Sequence, residues 1–195
     1  GVKARVPFVS EGRQAVMEIV ADHAQHVASR PSALFQGNVK MTTDDGLVLE
    51  TDELYYDGQE SSAESSDHVR WSRKDISGEA KGMRYEGMSD TIIFFEDVKI
   101  RLRDPDDAPA DITSESARLS REKGVLYLER NVFVDLGENW VKSGSLALFF
   151  GENRAIYRAV FRNGVDLVVN GDTSALGFSF PRAAGRKTIR GRRLE

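Results

Sequence analysis

Apolar and polar residues alternate along most of this chain, and the alternation recurs at a longer period. Val39, Val69, Val98, Val132 and Val165 stand 30, 29, 34 and 33 residues apart. Each sits in one frame of even offsets, six and four residues before the valine and two after it. The first frame carries Ala33, Phe35 and Met41, and the third Ile92, Phe94 and Ile100. The fourth carries Leu126, Leu128 and Val134, and the fifth Ala159, Phe161 and Leu167. Side chains two apart on a β-strand point to the same face, so each valine marks a stretch with one apolar face. A fixed period of this length predicts a stacked architecture in which no unit buries its face alone. The second copy is paler. Ala63 and Ser65 precede Val69, Trp71 follows it, and the polar run Gln59 to Asp67 reads as a long loop leading into the strand.

A second marker shares the period. Ala21–Ala24, Thr51–Leu54, Ala80–Met83, Ser114–Ala117 and Ser143–Leu146 each open a short strand, which Tyr56, Tyr85, Leu119 and Leu148 continue in the last four. Turn chemistry falls between the two markers, at Thr43-Asp44-Asp45-Gly46, Asp57-Gly58, Glu86-Gly87, Lys123-Gly124, Gly137-Glu138-Asn139, Asn153 and Asn163-Gly164. The unit is therefore strand, turn, strand, turn, and the chain is expected to be all-β: a sandwich, roll or solenoid. Residues Gln14 to Arg30 pull two ways. Val16, Ile19, Val20, Ala24 and Val27 have helical spacing, whereas alignment of Ala21–Ala24 with the later copies argues for strand. Asp104-Pro105-Asp106-Asp107-Ala108-Pro109 is the best linker, because two prolines withhold donors that a ladder needs. It is expected to divide the chain into 1–103, a linker or long turn at 104–112, and 113–195, the last continuing the same roll.

Composition narrows the function more than the fold. The 195 residues are 40% apolar and 30% charged, enough for one or two cores. A net charge of −4 supplies no global field towards nucleic acid or anionic lipid. With no cysteine there is no disulfide framework, thiolate zinc site or thiol nucleophile. No run of about 18 apolar residues is present to span a membrane. The chain begins at Gly1 and stops just after Arg190-Gly191-Arg192-Arg193 opens what reads as another copy of the second marker. Natural sequence is therefore expected beyond both ends, including a signal or anchor.

The stretch Gly37-Asn38-Val39-Lys40-Met41-Thr42-Thr43-Asp44-Asp45-Gly46-Leu47-Val48-Leu49-Glu50-Thr51-Asp52-Glu53-Leu54-Tyr55-Tyr56 resembles the core of the LptC family of periplasmic lipopolysaccharide-export components. Ser116 to Val169 is similar to the OstA-like repeat of LptA, through Gly124-Val125-Leu126-Tyr127-Leu128, Asn131-Val132-Phe133-Val134 and Ser143-Gly144-Ser145-Leu146. The resemblance covers most of residues 15 to 169. It implies an open, V-shaped antiparallel β-jelly roll (a β-taco), an LptC-like half followed by an LptA-like half. It also implies a periplasmic location with an inner-membrane anchor and an apolar interior that carries the acyl chains of lipopolysaccharide. The edge strands, Ala4 to Val9 and Lys187 to Leu194, are then expected to meet an inner-membrane ABC transporter subunit and jelly rolls leading to the outer-membrane translocon. Pro7 removes one ladder donor from the first edge.

Physical chemistry reaches a similar function by its own route. Each methylene left in water costs roughly 0.8 kcal/mol, so a lipid with several long tails needs a continuous sheltered track. Strand alternation builds one, with Lys40, Arg70, Lys99 and Arg101 outside. The expected lining is Phe35, Val39, Met41, Trp71, Phe94, Val98, Ile100, Leu128, Val132, Val134, Phe161, Val165 and Leu167. The second marker adds Leu54, Tyr56, Met83, Tyr85, Leu119, Leu146 and Leu148. The same residues also satisfy a plain packed core, as in a β-roll used for protein interaction or surface display. Other chemistry is thin. His23 and His26 with Asp22 fit a solvated face better than a metal site, and Asp104, Asp106 and Asp107 lack the further oxygen ligands of a calcium loop. Arg186, Lys187, Arg190, Arg192 and Arg193 are the basic cluster, suited to lipid phosphates, nucleic acid or a plain outward face. No nucleophile elbow, P-loop or dinucleotide fingerprint occurs, so no enzyme, cofactor, metal or nucleic-acid partner is expected. A glycan-active enzyme is the remaining class and would need two facing carboxylates.

Overall fold

The computed structural model describes residues 1–10, 13–27, 30–103, 109–151, 156–169 and 187–194. Its strands are β1 (Val2–Ser10), β2 (Arg13–Ala21), β3 (His23–Val27), β4 (Ser32–Thr43), β5 (Val48–Asp57), β6 (Ser62–Arg73) and β7 (Ile76–Glu86). They continue with β8 (Thr91–Leu102), β9 (Ala110–Ser114), β10 (Ser116–Ser120), β11 (Val125–Leu136), β12 (Asn139–Phe150), β13 (Ile156–Val169) and β14 (Lys187–Leu194). All lie in one antiparallel sheet, in chain order. β2 and β3 both pair with β4, and β9 and β10 both pair with β8 and β11, so each couple is one strand divided in two. The ladder thus passes from β8 to β11 on both sides of Glu115. Residues 104–108 of the expected linker lie outside the described residues, and pairing resumes within that stretch at Ala110.

Two local expectations are settled by burial. Residues Arg13–Ala21 and His23–Val27 are strands, and the helical stripe is not what the protein buries: Met17, Ile19 and Ala21 face inwards while Val16 and Val20 are 51% and 40% exposed. A period of two, together with the backbone partners offered by β1 and β4, overrides helix-compatible spacing. The long loop expected over Gln59 to Asp67 is corrected. Strand β6 begins at Ser62, with Ala63 and Ser65 inward. Its polarity is tolerated because the Ser65 hydroxyl meets the Thr51 hydroxyl at 2.9 Å inside the protein.

A single sheet cannot bury one face without a second layer, and here the sheet supplies that layer by folding over. Ladder registers shift between Gln36 and Val39, Glu50 and Tyr55, Ser65 and His68, and Glu79 and Lys81. They shift again between Glu129 and Val132, Lys142 and Ser145, and Arg162 and Val165. The divided strands break at the same level, at Asp22 and Glu115. Left-handed backbone at Gly37, Asn38, Gly82, Asp97, Arg130, Asn131, Asn163 and Gly164 marks the same line. Bulges bend strands, and bulges in line across a sheet make a crease. The bend is visible in one contact. Trp71 pairs with Gly78, which pairs with Ile100, six residues along β8 from Phe94. Six residues of straight strand span about 20 Å, yet the Trp71 and Phe94 rings stack with centroids 5.4 Å apart. The crease therefore separates two flanks. One carries Met41, Leu49, Trp71, Ile100, Val134 and Leu167, and the other carries Phe35, Leu54, Met83, Phe94, Leu128 and Phe161.

Candidate functional site

The predicted lining comes together as one inner face. Of those residues Leu119 is half-buried against the core and the others are buried, with Leu54, Met83, Val98 and Leu128 at 0% exposure. Small side chains sit next to the crease, where the flanks converge: Val39, Thr51, Ser65, Ala80, Val98, Ser114, Val132 and Val165. Larger ones fill the wider space beyond it. The sequence reading missed Met17, Ile19, Leu47, Leu49, Ile112 and Val141, which complete the same face. Several were within reach of the even-offset rule, since Leu49 lies two before Thr51 and Ile112 two before Ser114.

The outer face is charged and paired. Lys40, Arg70, Lys99 and Arg101 all point outwards as the alternation requires. Lys99 Nζ meets Glu79 Oε1 at 2.8 Å, and Arg101 Nε and Nη2 hold the Asp111 carboxylate at 2.7 and 2.8 Å. Hydrogen bonds from Lys99 and Arg101 hold the Glu79 and Asp111 carboxyls below the usual carboxylate range. A trough of about 690 Å³ runs among these side chains.

Opposite the crease, the turns at the two rims meet through ion pairs. Asp45 and Arg73 belong to the rim formed by the β4–β5 and β6–β7 turns, and Asp90 and Arg121 to the rim formed by the β7–β8 and β10–β11 turns. Arg121 Nη2 donates to Asp45 Oδ2 at 2.7 Å across the gap, and its Nη1 lies 3.6 Å from Asp90 Oδ1 on its own side. Arg73 Nη2 contacts the same oxygen of Asp45. Local turns fix the pieces. Thr43 Oγ1 donates to Asp45 Oδ1, Gly46 N donates to Thr43 O at 3.0 Å, and Arg121 N donates to Asp90 O at 3.0 Å. Tyr85 Oη donates to Asp90 Oδ1 at 3.5 Å. Burial, with the Asp90 charge second, pushes the Tyr85 phenol up, so it keeps its proton. The side chains of Arg121, Asp90 and Asp45 are only 3%, 6% and 12% exposed. Removing one member of such a buried pair costs about 3–5 kcal/mol.

Beside this clasp a cavity of about 460 Å³ opens between the rims, with Leu47, Trp71 and Ile76 on one side and Leu119, Leu126 and Phe150 on the other. Arg73, Arg121, Glu122 and Lys123 stand at its edge. Nothing in the sequence singled out this site, because Asp45 and Arg121 lie 76 residues apart and only the folded-over sheet joins them.

The remaining candidates stay apart. His23 and His26 are both exposed on β3, and among the described residues no three His, Asp or Glu side chains gather as metal ligands. Asp104, Asp106, Asp107 and Arg186 lie outside the described residues. Lys187, Arg190, Arg192 and Arg193 belong to β14. Among the described residues no helix is long and apolar enough to cross a membrane.

No curated protein matches the chain. Among solved structures, LptH from Pseudomonas aeruginosa, described as the LptA homologous periplasmic component of the conserved lipopolysaccharide transport device, is similar at 10% identity. That match covers 89% of this chain and 93% of LptH with a TM-score of 0.31. The family model described as "Lipopolysaccharide-assembly, LptC-related" matches residues 5–103, which take in most of β1 and all of β2 to β8. The chain belongs to the LptC-related lipopolysaccharide-assembly family.

Proposed function

We infer that this protein is a periplasmic scaffold for lipopolysaccharide transport, an open V-shaped β-jelly roll that shelters acyl chains between its flanks and does no covalent chemistry. The observation that carries the reading is the continuity of the apolar inner face, to which β1, β2 and every strand from β4 to β13 add buried side chains. Residues 1–103 and 113–195 contribute to the same face, because β8 pairs with β9 and β10 alike. Phe35, Phe94, Leu128 and Phe161 on one flank and Trp71, Ile100 and Leu167 on the other are the residues assigned to the tails. The outermost strands, β1 and β14, are the edges by which the roll adds to an inner-membrane ABC transporter subunit and to the next roll of the bridge. Modest binding at each step suits handover better than one tight site.

A photo-reactive amino acid at Phe94 or Leu128 tests this in cells. Capture of lipopolysaccharide at those positions, and not at outward Lys99, is the expected result. Absence of capture at both inner positions in a folded protein overturns it. One observation favours a second reading, an interaction module without cargo: the inner face is closed by its own side chains, with Val98 and Leu128 fully buried. The same experiment separates the two.

A further inference from the structure

We propose that the cavity between the rims is where an anionic lipid tail enters the groove, and that Arg121 exchanges Asp45 for the lipid's phosphate as the rims part. The inference rests on the lipid-sheltering function above and deepens it by naming the point of insertion and the group that controls it.

Three features converge there. The cavity holds about 460 Å³, a volume usual for small-molecule sites. Its walls are apolar where a hydrocarbon chain would lie, at Leu47, Ile76, Leu126 and Phe150, and charged at the edge, where the cations Arg73, Arg121 and Lys123 outnumber the one lining carboxylate, Glu122. That pairing of surfaces fits an amphiphile with an anionic head. Trp71 links the cavity to the interior, since its ring both lines the cavity and stacks on Phe94. Its indole Nε1 is buried, and among the described residues no acceptor reaches it. A buried donor left in this state is destabilising, and the ester or amide carbonyl of an acyl lipid is an acceptor of the right kind. The clasp explains why the inner face is closed. The 2.7 Å bond from Arg121 to Asp45 ties one rim to the other. A phosphate oxygen accepts from a guanidinium as a carboxylate oxygen does, so the exchange frees the rim without stranding Arg121.

The chain has no cysteine and two tryptophans, Trp71 and Trp140, which makes a direct test possible. In a Trp140→Phe background Trp71 alone reports by fluorescence. Asp44→Cys and Glu122→Cys place one thiol on each rim beside the clasp, to be bridged by a short bis-maleimide, with a monofunctional maleimide as control. The probes are an alkyl phosphate brominated on its chain, an alkyl maltoside with the same chain, and inorganic phosphate. The alkyl phosphate should quench Trp71 at concentrations at least tenfold below the maltoside, and inorganic phosphate should not quench. Bridging the rims should abolish quenching by the alkyl phosphate, while the monofunctional control retains it. Arg121→Gln should remove the preference for the anionic probe. If that variant does not fold, Arg73→Gln with Lys123→Gln should reduce the preference severalfold. Equal quenching by both amphiphiles, or undiminished quenching of the bridged protein, overturns the proposal. Should the bridged protein still capture lipopolysaccharide from a photo-reactive residue at Phe94, insertion occurs elsewhere and transport stands. Capture in neither form removes both.

Discussion

Gly78 shows how one absent side chain positions a large one. It faces inwards between Trp71 and Ile100, and a Cβ built on it would lie 2.6 Å from two carbons of the indole and 2.8 Å from the Lys99 carbonyl oxygen. The backbone oxygen cannot give way as a flexible side chain would, so Gly78→Ala must push the indole off Phe94. Overpacking of this kind costs about 1–3 kcal/mol. A lower urea midpoint with a red-shifted Trp71 emission is the expected outcome, and an unchanged midpoint would show that the ring has room to move. The inward position of Gly78 follows from alternation, but its contact with the indole does not, because that depends on which strand lies opposite. Asp45 gives the same lesson more strongly. The run Thr43-Asp44-Asp45-Gly46 reads correctly as a turn, and Asp45 does accept the Thr43 hydroxyl within it. Its second carboxylate oxygen, however, serves Arg73 and Arg121 from distant hairpins.

Among the elements, the period of valines was legible and its cause was not. Val39, Val98, Val132 and Val165 each directly follow a residue with left-handed backbone, namely Asn38, Asp97, Asn131 and Gly164. The valine frame is thus the signature of the crease: an inward β-branched residue at the narrow end, with larger inward residues four before it on the other flank. Glycine, asparagine and aspartate before the valines are the residue types that adopt this backbone at least cost, and that was the sequence signal available for the bend. At the first copy the geometry is reinforced, since Asn38 Nδ2 donates to Asp22 Oδ2 at 2.8 Å and Asp22 N donates to Gly37 O at 2.9 Å. Replacing Asn38 by Val removes the hydrogen bond and places a β-branched residue at φ 47°. A loss of about 1–3 kcal/mol is expected, measured as a urea midpoint, with Asn38→Gly far milder. The strand at Ser62–Arg73 was partly hidden because its inward Ser65 looks like a loop residue until Thr51 is seen opposite it.

For the molecule as a whole, the charged outer face sets the pH response. The Glu79 and Asp111 carboxyls are held below their ordinary values by Lys99 and Arg101. A group whose folded pKa is depressed contributes stability above its unfolded value of about 4, and that contribution fades as pH falls through the folded value. Both pairs are well exposed, so solvent and salt screen them and each contributes little. The urea midpoint should therefore fall modestly below pH ~4, less steeply in Glu79→Gln or Asp111→Asn and less steeply in 1 M salt. A steeper fall in those variants would contradict the pairing.

The crease runs across the strands, and the backbone bonds that join neighbouring strands run along it. Spreading the two plates about this spine, like opening a book, leaves the backbone ladder intact and separates packed apolar side chains and the Arg121–Asp45 latch. Breathing of the protein along this axis is thereby decoupled from unfolding, and a guest that replaces the lost side-chain contacts meets little resistance from the backbone.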